Sequence, residues 1–436
     1  MFIKKINEMD IKRNSVLISF SIIINSIILA LFIFVLPDSF KVNESQDYIH
    51  GYNPIALNIV NGESYNYFDS TGCNEPCSNH MEFTHQSRPP VFPLLIALTH
   101  KLASLTNFDQ YRLLIFIQYL MHLASSSFIL LIYLNWFQKP KVALFASILY
   151  SSYPLGLYLL KQPNSEVIFN FLLAFFVLIF TIALKNKKYL KGYLIYFSGL
   201  ILGLLFLTRY LSIFLPIFIL IFLLIYYRSD ILKVASKMLT GMLIVILPWQ
   251  IYSSNLTENQ PERDFSTGVF VNGLHWEQIP DKGRSKVSEF MSDDLLLFME
   301  KTREKWTLGD LSTKGEVVSY ITEESLESPS TIIELIFWKA VRSLYAVDSK
   351  RYEMETFLIN SVYLVLLLFL YFNRKKYINE PEDKKFMVLS IIVFSYFYLL
   401  TISAVPIVRY TLSGILLIIP LASLLANDYR PTDKGN

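Results

Sequence analysis

The stretch Gln46-Asp47-Tyr48-Ile49-His50-Gly51-Tyr52 gathers a carboxylate, an imidazole and two phenols. An acid in that company can serve as a general base, taking the proton of a hydroxyl or amine as that group attacks. The same acid can also be no more than a solvated loop carboxylate. Arg88, Arg209 and Arg409 each flank apolar sequence. Their planar forks suit bidentate phosphate binding, although a single arginine at such a place also serves as an interfacial anchor. Glu166 lies at the start of another apolar run. A carboxylate there is costly unless it faces a cavity or a partner, its other reading being an interfacial cap on a helix starting near Asn164. Cys73 and Cys77 are closely followed by His80, Glu82 and His85. A small-loop disulfide, two free thiols and a Cys/His metal site all stay open, the spacing matching no standard zinc pattern. No Walker A, GxGxxG or HExxH pattern is present, which argues against an ATP-driven pump or a zinc protease of standard type.

The elements that must position these groups are apolar runs. The chain is 53% hydrophobic and 17% charged, against roughly a quarter charged in soluble domains. The net charge of +3 is too small to suggest nucleic acid. Spanning helices need about 20 mostly apolar residues, and candidates lie at 16–36, 113–137, 142–160, 167–184, 193–207, 211–227, 238–252, 357–372, 386–405 and 412–426. The run 91–105 is short and reads as interfacial or re-entrant. Lys4, Lys5, Lys12 and Arg13 precede the first run, which is read as a retained helix with a cytoplasmic N-terminus. Basic residues then collect at 139–141, 185–191, 228–237 and 374–385, all on the inside if 91–105 does not span.

The expected fold is therefore an all-α polytopic membrane protein of about ten transmembrane helices (nine to twelve), with interfacial helices and two large extracytoplasmic loops. The expected location is the cytoplasmic (inner) membrane with both termini inside. An N-terminal transmembrane module covers 1–252 and includes the first outer loop, 38–110. The second outer loop is 253–355, with an interfacial helix at 331–347, and C-terminal transmembrane helices fill 356–436. In that second loop Asp293 and Asp294 read as the start of an amphipathic helix rather than a DxD-like metal site.

Several short motifs occur in a telling order. After the first span come Asp47, Gly51 and Tyr52, then Arg88-Pro89-Pro90 with Pro93-Leu94-Leu95, then Tyr153-Pro154 and Glu166. Gly199-Leu200-Ile201-Leu202-Gly203-Leu204 follows with Leu207-Thr208-Arg209, then Pro248-Trp249 and Arg409-Tyr410. This order resembles the membrane glycosyltransferases of the C superfamily, nearest to protein O-mannosyltransferases and lipid A aminoarabinose transferases. In many of these relatives the catalytic Asp is followed by Glu, with a Tyr four residues on. Here Tyr48 follows Asp47 and Tyr52 lies five away.

The resemblance implies an inverting transfer from a polyprenyl-phosphate sugar donor (undecaprenyl or dolichyl type) to an extracytoplasmic glycolipid, glycan or protein. Asp47 is the expected base, with Glu166 or His85 as alternatives. Arg88, Arg209 and Arg409 would hold the leaving phosphate, whose charge grows in the transition state. Tyr52, His85, His275 and Tyr410 are further candidate substrate contacts, His275 within Asn272-Gly273-Leu274-His275-Trp276. No cofactor is certain, and a divalent metal, needed by some relatives, is left open. The rival functions are a lipid or glycan transporter, a surface-polysaccharide polymerase or ligase, and an inactive assembly partner.

Overall fold

The computed structural model describes residues 8–35, 47–65, 67–68, 82–83, 88–185, 192–256, 265–278, 285–347, 352–378 and 380–426. Cys73, Cys77 and His85 lie outside the described residues, and the expected disulfide with them. The described residues are helical almost throughout. The exception is a pair of two-residue antiparallel strands, β1 (Tyr67–Phe68) and β2 (Glu82–Phe83), with Tyr67 opposite Phe83.

Helices α1 to α4 cover Glu8–Val35, Asn53–Asn61, Val91–Thr106 and Gln110–Phe137. Helices α5 to α10 cover Pro140–Ser151, Pro154–Tyr158, Ser165–Lys185, Tyr193–Thr208, Leu215–Tyr226 and Ile231–Ser254. Helices α11 to α14 cover Phe265–Leu274, Asp293–Leu308, Lys314–Glu327 and Pro329–Arg342. Helices α15 to α18 cover Glu353–Phe372, Arg374–Tyr377, Pro381–Ser403 and Val408–Ile418. Among the described residues seven helical segments are long and apolar enough to cross a membrane: Ser15–Phe34, Gln110–Phe137, Ser165–Lys185, Arg228–Ser254, Glu353–Phe372, Pro381–Ser403 and Val408–Ala426. The protein is an all-α, multi-pass membrane protein.

The span expected at 142–160 is not one straight helix. It breaks into Pro140–Ser151 and Pro154–Lys161, bent by 50°. Proline disfavours the helical region for the residue before it, and Tyr153 is extended at φ −65°, ψ 117°. The runs expected at 193–207 and 211–227 form shorter apolar helices, as does 91–105.

The chain divides into two compact units. The first comprises 1–255, 365–393 and 416–436, the second 256–364 and 394–415. In the first unit α1 is tied to α4 and α5 by polar side chains inside the bundle. Asn25 Nδ2 donates to Ser147 Oγ (2.8 Å) and Ser126 Oγ (3.0 Å), while Ser151 Oγ donates to Asn25 Oδ1 (2.6 Å). Lipid offers these groups no hydrogen bonds, so they find one another across helices. Helices α8 and α10 cross in close contact through glycine. A Cβ on Gly199 would stand 1.9 Å from the Met238 carbonyl oxygen, and one on Gly241 2.0 Å from that of Tyr196. The glycines of the Gly-Leu motif thus have a packing reason of their own.

In the second unit α11 to α14 enclose a small core that includes Val271, Leu274, Trp276, Leu295, Phe298 and Leu335. Its helices are capped as the local sequence dictates. Ser292 accepts from Leu295 N, with Asp293 and Asp294 in the first turn of α12, so the cap lies one residue before the expected acids. Thr313 and Glu316 form a reciprocal capping box on α13. On α14 Leu335, Lys339 and Arg342 are buried, whereas Ile333, Ile336 and Phe337 are exposed. Such an apolar stripe suits a helix lying in a membrane interface. Arg342 stacks over Trp276 (4.0 Å) and pairs with Glu353 (2.8 Å) and Glu277 (3.8 Å).

Candidate functional site

Asp47 opens a π-helical turn, Asp47–Tyr52, that runs into α2. Its wider winding takes up about one more residue per turn than an α-helix. The extra residue between Asp47 and Tyr52 is therefore absorbed, and both side chains reach the same partner, Arg88. Arg88 Nη2 donates to Asp47 Oδ1 at 3.0 Å, and the guanidinium carbon stands 4.9 Å from the centre of the Tyr52 ring. Arg88 is buried at 8% exposure, while the Asp47 side chain is 41% exposed. The acid sits at the mouth of the cluster and its paired cation lies beneath it.

Pro89 and Pro90 lead from Arg88 into α3, where Phe92 meets the Tyr52 ring edge-on at 4.9 Å. The Arg88 carbonyl accepts the Tyr65 hydroxyl at 2.8 Å. Burial, then the neighbouring Tyr210 and Tyr52, push the Tyr65 phenol well above its ordinary range, so it stays a protonated donor. Its ring packs on Trp249 (4.9 Å), whose indole N–H donates to the Tyr210 hydroxyl at 3.3 Å.

From Tyr52 the contacts continue inward. The Tyr52 hydroxyl reaches Ser165 Oγ at 3.4 Å, and Ser165 Oγ reaches Glu166 Oε2 at 3.4 Å. Glu166 is ion-paired with Arg209, the two side chains 2% and 13% exposed. The local fold explains the pairing. Helix α7 begins at Ser165, which places the Glu166 carboxylate in its first turn, where the helix dipole favours negative charge. Helix α8 ends at Thr208, and Arg209 is extended at φ −151°, ψ 119°, which takes it out of the helix. Glu166 is thus an engaged member of the cluster and not merely a helix cap.

Five residues singled out from the sequence, Asp47, Tyr52, Arg88, Glu166 and Arg209, therefore form one chain of contacts in the first unit. His275, Arg409 and Tyr410 belong to the second unit. His275 is 3% exposed at the end of α11, and burial lowers its imidazole to about 4. Arg409 and Tyr410 stand in the first turn of α18, anchored where Val408 N donates to the Ala346 carbonyl (2.7 Å) and Thr411 Oγ1 to that of Ser343 (2.8 Å).

Tyr65, Ser165 and Tyr210 were not singled out by sequence reasoning, and Trp249 figured only as half of a motif. Each adjoins a residue that was, or shares its short segment, but neutral hydroxyls and an indole carry no charge signal of their own. Among the described residues no three His, Cys, Asp or Glu side chains gather as a metal site would require. Asp47 and Glu166 are each engaged by a guanidinium.

The chemical content is two carboxylates alternating with two guanidiniums, one acid open to solvent and one buried. Residues 87–252 match the family model described as dolichyl-phosphate-mannose-protein mannosyltransferase. The matched segment holds Arg88, Glu166, Arg209 and Trp249, and Asp47 lies outside it. No curated protein and no solved structure matches the chain. Over residues 87–252, within a chain built of apolar helices, the protein is thus similar to the membrane glycosyltransferases of the GT-C type.

Proposed function

We propose that the protein moves a sugar from a polyprenyl-phosphate donor to a hydroxyl or amine acceptor at the extracytoplasmic face, with inversion at the anomeric carbon. The observation that carries this reading is the chain of contacts from Asp47 through Arg88, Tyr52, Ser165 and Glu166 to Arg209. Asp47 takes the acceptor's proton as its oxygen or nitrogen attacks the anomeric carbon. The bond from that carbon to the phosphate oxygen breaks, and the electron pair leaves with the lipid phosphate. Arg88 and Arg209 hold the charge that grows there, as pre-placed cations do most effectively in a site shielded from water.

The resting pairs fit this sequence of events. Arg88 is held by Asp47 until a donor phosphate competes for its fork. Loss of the cation then raises the basicity of Asp47 when an acceptor needs it. Glu166 is too deeply buried to meet an acceptor, and its part is to hold Arg209 in place. Arg409, Tyr410, His275 and His85 remain proposed substrate contacts.

The test works whichever sugar is transferred. Surface glycans and glycolipids of a deletion strain are compared by mass spectrometry after complementation with the wild-type protein or Asp47→Asn. Wild type restores one missing sugar residue; Asp47→Asn, inserted in the membrane to the same level, restores none. Full restoration by Asp47→Asn removes Asp47 as the base.

A further inference from the structure

A second feature of the first unit lies about one helix length from the Asp47 cluster. Helix α7 starts at the cluster with Glu166 and ends at Lys185, a rise of roughly 30 Å at 1.5 Å per residue, the thickness of a hydrocarbon core. Lys185 there donates to the Asn135 carbonyl, and the Trp136 indole N–H donates to the Glu382 carbonyl at 2.6 Å. This end of the bundle therefore faces the opposite membrane surface, which the clustering of basic residues marks as cytoplasmic.

Between the end of α9 and the segment from α16 into α17 there is a cleft of about 430 Å³. Arg374, Lys375 and Lys384 line it together with Tyr226, Ile378, Met387 and Val388. Two nearby acids are engaged elsewhere: Glu382 pairs with Lys385, and the Asp383 carboxylate faces Lys139 and accepts the Glu380 backbone N–H. The Arg374 guanidinium lies 4.5 Å over the Tyr371 ring. Among the described residues no carboxylate is ion-paired with Arg374, Lys375 or Lys384.

We propose that this cleft binds the headgroup of an anionic phospholipid from the leaflet at that face. The three cations hold the lipid phosphate, and Ile378, Met387 and Val388 take the first methylenes of its chains. Basic recesses between helices at the inner membrane surface are suited to such headgroups, and the volume falls in the range of small-ligand sites. A free phosphate would use the same cations but leave the apolar lining in water, so the mixed basic and apolar lining favours the lipid.

The full-length protein in neutral detergent is titrated with dioleoyl phosphatidylglycerol, dioleoyl phosphatidylcholine or glycerol 3-phosphate, binding being read by native mass spectrometry. Three cations predict phosphatidylglycerol binding on the order of 100-fold tighter than phosphatidylcholine. The triple variant Arg374→Gln/Lys375→Gln/Lys384→Gln removes that preference. Val388→Trp, which fills the cleft at an apolar lining position and keeps every cation, also weakens phosphatidylglycerol. Both variants unfold at the wild-type temperature in phosphatidylcholine nanodiscs. Equal binding of the two lipids, or retention of the preference in both variants, overturns the proposal. Displacement of phosphatidylglycerol by glycerol 3-phosphate at equal concentration overturns the lipid assignment in favour of a soluble phosphate.

Discussion

The Glu166–Arg209 pair offers the most quantitative test of the site. Both side chains are largely removed from solvent, so each charge leans on the other. Breaking a buried pair from one side costs roughly 3–5 kcal/mol, because it strands an uncompensated ion. For Arg209→Met the stranded group is the carboxylate, which the first turn of α7 stabilises by about 0.3–1 kcal/mol. The expected loss is therefore near the lower end, about 3 kcal/mol. Glu166→Leu strands the guanidinium instead and should cost a similar amount. The double variant Glu166→Leu/Arg209→Met buries no charge, and replacing such a pair with apolar groups is often neutral. The signature is thus non-additivity, with a coupling of about 3 kcal/mol or more. At roughly 2–4 °C per kcal/mol, each single change lowers the unfolding temperature by about 6–12 °C, and the double variant recovers most of it. Thermal unfolding in detergent, followed by intrinsic fluorescence, reads all four proteins. Additive losses, or single variants within about 1 °C of wild type, would refute a buried, mutually dependent pair.

Gly199→Leu should separate α8 from α10, because even a Cβ there meets the Met238 carbonyl oxygen at 1.9 Å; overpacking of this kind costs about 1–3 kcal/mol or more, and a protease-resistant, fully stable variant would contradict the crossing. Lys339 is buried on α14, its ammonium 3.5 Å from the Ser403 carbonyl, and burial lowers it to about 7. The unfolded chain then binds the extra proton between about pH 7 and the ordinary lysine range, so stability rises with pH across that window. Lys339→Met should flatten the rise and raise the unfolding temperature at about pH 7; an unchanged profile would place the ammonium in water. Tyr65→Phe removes the hydrogen bond to the Arg88 carbonyl, at about 1 kcal/mol, and should raise the donor KM more than it lowers kcat; equal effects on both would deny it a role in placing Arg88.

Much of the site was legible because charge is rare in apolar sequence and therefore conspicuous. Arg88, Glu166 and Arg209 stood out at the ends of apolar runs, and the order of short motifs joined Asp47 and Tyr52 to them. The break at Tyr153-Pro154 was equally present in the letters, yet a mean hydropathy over 142–160 reads straight through it. The spacing of Asp47 and Tyr52 looked like a shift of register from the relatives. The π-helical turn resolves it, and periodicity alone cannot distinguish such a turn from an ordinary one. Ser165, Tyr65 and Tyr210 gave no signal, since neutral hydroxyl groups occur everywhere at helix ends.

What the sequence determined by itself was depth. Apolar runs lie within a hydrocarbon layer of limited thickness, so charges at their ends collect near its surfaces, as the paired Glu166 and Arg209 do. Which charge stands beside which was decided only by lateral packing. Asp47 meets Arg88 across 41 positions of sequence, and Arg209 meets Glu166 because α8 stops at Thr208 and its next residue is extended. Lateral order depends on how helix faces fit, on glycines such as Gly199 and Gly241 that let two backbones touch, and on polar ties such as Asn25. Lipid surrounds every apolar face alike, so hydropathy holds no record of which neighbour a helix will choose.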